Sequence, residues 1–220
     1  MPISQLRTAN VPNASLNDNS TPDALAGRSG EAVTTQLHGK YYTQCYRGNV
    51  FIGTTAIAGV ILPIFSNTAH TFGLWNPAGS GKNLVPIRVT VGFVNTTSAA
   101  GNYVYAFTPV NIGSSIGTPV SAFTQIVPIN AFLGSGVQPV GRFSNAITLS
   151  AAAAPTVILK TSGMNQLVTT TSSTTSVGWT VVEDFDGTII IPPGLMFLLA
   201  GNAAPLSTTD ASIMWEEVPQ

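Results

Sequence analysis

Past residue 40 the apolar side chains arrive in short runs broken by glycine, proline and asparagine, and none of these runs keeps the spacing of a helix face. The clearest pattern lies at 84–93, where Val85, Ile87, Val89, Val91 and Phe93 alternate with Leu84, Pro86, Arg88, Thr90 and Gly92. A period of two with one apolar face is the mark of a half-buried strand. Pro86 has no N–H to give a ladder, which puts the beginning of that strand at a sheet edge or outside the pairing.

Further strand candidates are 41–46, 50–52, 56–64, 69–75, 103–108, 122–126, 146–149, 156–160, 178–183, 188–191, 195–200 and 212–218, most of them with β-branched or aromatic residues and 195–200 as an unbroken apolar run. Turn formers separate them, among them Arg47-Gly48-Asn49, Asn76-Pro77-Ala78-Gly79-Ser80-Gly81 and Asp186-Gly187. A conservative reading gives about eight to eleven strands and no amphipathic helix of three turns. The expected fold is all-β: a two-sheet β-sandwich of jelly-roll type over residues 41–220. Residues 1–40 contain no aromatic side chain and are rich in coil formers, so they read as an extended N-terminal arm. Ile3, Leu6, Val11, Leu16 and Leu25 are the sparse anchors by which such an arm would bind a neighbouring subunit.

Composition bears on partners. Eight basic and nine acidic residues in 220 are far below the quarter that a soluble domain usually carries, which would be roughly 55. In their place stand 27 Thr, 19 Ser and 15 Asn. A free monomer ordinarily keeps itself dispersed with interspersed charge, so much of this surface is expected to be covered by partners. A net charge of −1 argues against nucleic-acid binding through phosphates, which needs a basic face. The single cysteine, Cys45, cannot form an internal disulfide and reads as a buried thiol. The most apolar window, 50–65, is interrupted by Gly53, Gly59 and Pro63 and is too short to span a bilayer. No signal-peptide pattern opens the sequence, so the sequons at Asn13, Asn19 and Asn95 read as chance.

Motifs that suggest chemistry fail on spacing. Gly79-Ser80-Gly81-Lys82 lacks the earlier glycine of a phosphate loop (Asn76 stands there), and Asn83 replaces the following Ser or Thr. It reads as a strand-to-strand turn. Glu183, Asp184 and Asp186 crowd one segment, but Leu195 stands where a calcium loop would close with Glu, and a solvated turn at Asp186-Gly187 is favoured. His38 and His70 are the only imidazoles, and no Gly-x-Ser-x-Gly elbow accompanies them. Trp75, Trp179 and Trp215 all fall in strand candidates, where core packing is expected and an exposed sugar platform is the alternative. No catalytic residue, cofactor or metal is assigned, and an enzyme is not expected. The glycine- and proline-rich excursion at 111–145 and the polar tip at 169–176 are candidate contact surfaces.

Two segments carry a resemblance. The run Ile189-Ile190-Ile191-Pro192-Pro193-Gly194-Leu195-Met196-Phe197-Leu198-Leu199-Ala200, closed by Ser212-Ile213-Met214-Trp215-Glu216-Glu217-Val218-Pro219, resembles the end of tailed-bacteriophage virion proteins with a jelly-roll fold. Leu74-Trp75-Asn76-Pro77, leading to Lys82-Asn83-Leu84-Val85, is similar to the same group. The resemblance implies a capsid cement (decoration) protein, a homotrimer made in the host cytoplasm and seated on the outer capsid surface of the virion. There it would bind the major capsid protein, with the arm reaching a neighbour. It implies neither nucleic acid nor membrane as a partner. A tail or head-fibre glycan-binding component and a shell-forming jelly-roll capsid protein are the alternatives.

Overall fold

The structure, a computed structural model, describes residues 39–94, 101–109, 120–149, 157–165, 180–202 and 208–220. The arm anchors Ile3, Leu6, Val11, Leu16 and Leu25 lie outside the described residues, as do His38, Trp179, residues 111–119 and the 169–176 tip. The chain divides between Thr43 and Gln44, and all the strands lie in the unit Gln44–Gln220.

Thirteen strands form among the described residues: β1 Val50–Thr54, β2 Val60–Ile61, β3 Ala69–His70, β4 Gly73–Trp75, β5 Lys82–Phe93, β6 Gly101–Pro109, β7 Val120–Ile126, β8 Ile129–Asn130, β9 Arg142–Leu149, β10 Val157–Asn165, β11 Thr180–Asp184, β12 Leu195–Gly201 and β13 Thr208–Pro219. The excess over eleven comes from two-residue pairings, β2, β3 and β8, too short to leave an alternation in the sequence. The first sheet runs β11-β5-β13-β1-β8, with β2 also on β13. The second runs β10-β6-β12-β4-β9-β3, with β7 also on β9. Every pairing between these thirteen strands is antiparallel, so the expected all-β two-sheet sandwich is the fold. Within it eight strands pair as a nested series: β1 with β13, β4 with β12, β5 with β11, and β6 with β10. Strands β7, β8 and β9 occupy the interval between β6 and β10.

Residues 41–46, expected as strand, instead contain a short helix, α1, at Tyr42–Tyr46. Its stop signal overrides the β propensity of the tyrosines. Gly48 adopts φ +75°, its N–H donates to the Cys45 carbonyl at 3.0 Å, and the Asn49 N–H donates to Gln44 at 3.0 Å. That pair of bonds is a Schellman cap, which glycine at this position permits. The run 56–64 pairs only at β2 and at a single parallel bridge from Ile64 to Gly201, because Gly59 turns back with φ +75° and donates to the Ala56 carbonyl at 2.8 Å. The run 69–75 splits into β3 and β4, with Phe72 between them fully buried in the core. Of 188–191 only Ile191 pairs, as a bridge to Leu84, since Pro192 and Pro193 have no N–H to extend a ladder.

Pro86 is inside the ladder and not at its margin. It pairs with Trp215, while Arg88 pairs with Met214, so Ile87 is the extra residue of a bulge. Bulges and edges are where sheets accept proline. The bulge also shifts the phase of the strand: Leu84 and Pro86 are buried before it, and Ile87, Val89 and Val91 after it. The expected single apolar face, which included Val85, is corrected accordingly.

The core lies between the sheets. Phe51, Leu84, Val89, Val91, Ile213 and Trp215 face Tyr105, Phe143, Phe197 and Leu199. Aromatic rings meet at favoured offsets: Phe51 and Trp215 at 6.0 Å, and Tyr105 and Phe185 edge-on at 5.3 Å. β12 is buried on both faces, as its unbroken apolar run requires. Met196 and Leu198 point away from the main core into a smaller cluster with Trp75, Ile147, Leu149 and Phe123.

Candidate interaction surface

Glu217 is the least ordinary side chain in the sandwich. On β13 every second residue turns inward, through Thr209, Ala211, Ile213 and Trp215, and the same phase carries Glu217 into full burial. An isolated buried carboxylate is costly unless hydrogen-bonded. Here Gly141 N–H donates to Oε1 at 2.8 Å, Val140 N–H at 2.9 Å and Trp215 Nε1–H at 3.5 Å, while Lys82 Nζ donates to Oε2 at 3.0 Å. The carboxylate therefore ties β13 to the beginning of β5 and to the end of the segment that leads into β9. The alternation Ile213, Trp215, Glu217 already contained this placement, and the sequence reading passed over it.

The segment held at its end by Glu217 is anchored along its length. Asn130 Nδ2 donates to the Gly48 carbonyl at 2.7 Å, and its Oδ1 accepts from Phe132 N–H at 2.8 Å. Ala131 N–H donates to Val50 at 2.8 Å, Ser135 N–H to Phe132 at 3.0 Å, and Val137 N–H to Ser135 Oγ at 3.3 Å. What this scaffold presents is apolar. Ile129 is 62% exposed, Leu133 77% and Tyr46 59%, with Phe132 and Val137 also exposed. Tyr46 stacks on Phe132 at 5.7 Å between ring centres, so the capped end of α1 and the segment after β8 make one flank beside the first sheet's edge. A sequence signal for it existed: from Val89 to Gly141 there is no Asp, Glu, Lys, Arg or His. Arg47 stands exposed at the rim.

The other edge of the sandwich, at β10 and β11, exposes Val157, Ile158, Leu159 and Val182 and sets charge pairs beside them. Lys160 pairs with Glu183 across the two strands, and Arg88 grips Asp184 with Nε–Oδ1 at 2.5 Å and Nη2–Oδ2 at 3.2 Å. Glu183 and Asp184 of the acidic cluster are thus engaged with cations. Asp186 and Gly187, at φ 48° and 85°, form a turn closed by Thr188 N–H on Phe185 at 2.9 Å. Among the described residues no three His, Cys, Asp or Glu side chains gather where a metal could sit.

The remaining candidates are structural. Gly79 and Gly81 take φ 76° and 70° in a turn organised by buried Asn76, whose Nδ2 donates to the Lys82 and Ile191 carbonyls, both at 2.8 Å. Trp75 and Trp215 are buried and offer no sugar platform. His70 is buried with Nε2 2.6 Å from the Asn67 carbonyl, and burial holds its pKa below the usual range. Cys45 is half-buried. Burial, with a smaller contribution from the Glu216 carboxylate, pushes its thiol up, away from the thiolate a nucleophile needs. Among the described residues no helix is long and apolar enough to cross a membrane. No family model, no curated protein and no solved structure matches this chain.

Proposed function

We propose that this chain is a virion structural protein, a capsid cement (decoration) protein that binds the outer surface of a bacteriophage head. The observation that carries the reading is the nested pairing of β1 with β13, β4 with β12, β5 with β11 and β6 with β10, in a chain with few charges. Nested pairing of eight strands across two sheets supports reading the sandwich as a jelly roll, a frequent fold of capsid subunits. Lectin domains and cupins use the same arrangement, so the fold alone does not decide function. The scarcity of charge and the preformed apolar flank favour a subunit held in an assembly over a lectin or an enzyme.

The mechanism is linkage. A protein that binds only the mature shell adds its binding free energy to the stability of that shell. The partner is the major capsid protein, and assembly as a homotrimer would let modest contacts act together, since each later contact forms at high effective concentration. The test is a cryo-electron microscopy map of the phage particle whose genome encodes the chain, with a shell-melting assay on particles lacking it. Density on the outer head surface and a lower melting temperature without the protein are expected. Density at the tail tip together with polysaccharide binding would replace this reading with the glycan-binding one. Closed particles formed by the chain alone would replace it with the shell-forming one.

A further inference from the structure

We propose that His70 is a proton-operated latch: uptake of one proton by its ring releases β3 from β9 while the rest of the sandwich stays folded. The inference stands whether or not the partner of the assembly is a phage head.

A carbonyl oxygen only accepts, so Nε2, 2.6 Å from the Asn67 carbonyl, carries the hydrogen of the neutral ring. A second proton must go to Nδ1, which is buried and has no hydrogen-bond partner among the described residues. A bare lone pair loses little there, whereas a charged donor with neither acceptor nor counter-ion is strongly disfavoured. The second sheet supplies no counter-ion. None of its seven strands contains an Asp or Glu, and the chain has neither from Gly48 to Val182. Its charged residues, Arg142 of β9 and Lys160 of β10, share the sign of an imidazolium. Arg142 lies over the Trp75 ring, and Lys160 pairs with Glu183 at the far edge. Its remaining titratable side chains, Tyr103 and Tyr105 of β6, are phenols and not carboxylates. Across the core the inward-facing acid of β13, Glu217, is taken up by Lys82 and by the Val140 and Gly141 amides.

The hold that a proton has to break is small. β3 is two residues long and pairs with β9 through Ala69–Thr148 and His70–Ile147, with one further bond from Leu149 N–H to the Thr68 carbonyl at 2.7 Å. Its release leaves β9 paired with β4 and β7. Ile147 and Leu149 belong to the cluster of Trp75, Met196 and Leu198, so the opened form presents apolar surface beside an unpaired strand edge. Burial disfavours the imidazolium in the closed form, and a released, solvated ring regains a pKa of about 6.5. The latch is therefore closed above about pH 6.5. Below it the ratio of open to closed rises by up to about tenfold per pH unit, until the depressed folded value is reached.

Hydrogen exchange on the full chain, read by mass spectrometry and corrected for the intrinsic pH dependence of exchange, tests this. Between pH 7 and pH 5, protection in peptides covering 66–72 and 146–149 should fall by at least about fivefold, while β5 and β13 change by less than about twofold. His70→Gln, whose amide can still donate to the Asn67 carbonyl but takes up no proton in this range, should abolish the local fall. If that variant does not fold, an NMR titration of the wild-type imidazole replaces it, and protonation should coincide with shifts of the Ala69 and Thr148 amides. A fall spread evenly over both sheets, an unchanged 66–72, or a fall that persists in His70→Gln overturns the proposal. So does a ring that titrates with Ala69 and Thr148 unmoved.

Discussion

Glu217 shows how one inward-facing acid can organise a fold without chemistry. Its carboxylate accepts from two backbone amides, the Trp215 indole and an ammonium, and the ammonium, on Lys82, is the partly exposed partner. In Glu217→Gln one end of the amide becomes a donor. Whichever way it is turned, a donor then meets Lys82 or the Val140 and Gly141 N–H groups. The expected loss is on the order of 3 kcal/mol. Lys82→Met leaves the backbone donors in place and should cost about 1 kcal/mol or less. Urea midpoints at neutral pH read both, and equal losses would mean that the ion pair, not the amides, holds the acid. His70 supplies the complementary case. Its Nε2 faces the Asn67 carbonyl, while its buried Nδ1 has no hydrogen-bond partner among the described residues. Burial disfavours the imidazolium and outweighs the opposing Asn67 hydrogen bond, so the folded pKa lies below 6.5. The unfolded chain therefore takes up the proton first. The stability from neutral His70 is complete above about pH 6.5 and falls as pH drops toward the depressed folded value. Melting temperatures between pH 7 and pH 5 should decline in wild type and decline less in His70→Leu.

At the scale of elements, close approach between the sheets sets what the strands can carry. A Cβ on Gly53 of β1 would lie 2.5 Å from Phe143 Cγ of β9, a contact across the core with no flexible end to move aside. Gly53→Ala should cost about 1–3 kcal/mol by overpacking. Gly134→Ala meets open space but inherits φ +83°, and should cost about 1 kcal/mol through backbone strain alone. Thermal melts separate the two, and a neutral Gly53→Ala would mean that the sheets yield at this point. The contrast explains what the sequence made legible. Long strands with a buried face, β5, β12 and β13, announced themselves by period or by unbroken apolar runs, and so did the turns at Gly79-Ser80-Gly81 and Asp186-Gly187. Local chemistry hid the rest. A glycine cap made a helix of tyrosines, a bulge at Pro86 and Ile87 moved the buried face by one residue, and two-residue pairings left no pattern. The apolar flank was legible only as an absence of charge, because its side chains come from α1, β8 and the segment after it, which only the fold brings together.

For the molecule as a whole, nested pairing makes the first sheet depend on the last strand. β13 lies between β5 and β1, pairing with β5 from Thr209 to Pro219 and with β1 from Ser212 to Glu216. Val50 must therefore wait for Glu216, and β5 gains its second neighbour only when the end of the chain arrives. Such non-local pairing pays its loop-closure entropy before contacts repay it, which places refolding at the slow end, milliseconds to seconds or longer. It also makes the fold intolerant of loss at that end. A chain stopped at Gly201 retains every strand of the second sheet but loses Ile213 and Trp215 from the core and the Glu217 tie to Lys82, Val140 and Gly141. β1 and β5 would then be left as separate edges with exposed N–H and C=O groups. The expected outcome is a chain with no cooperative thermal transition by circular dichroism and with exposed apolar surface that binds a hydrophobic dye. A cooperative melt near the wild-type midpoint would mean that β5 closes directly onto β1, and that the last strand covers the sandwich instead of completing it.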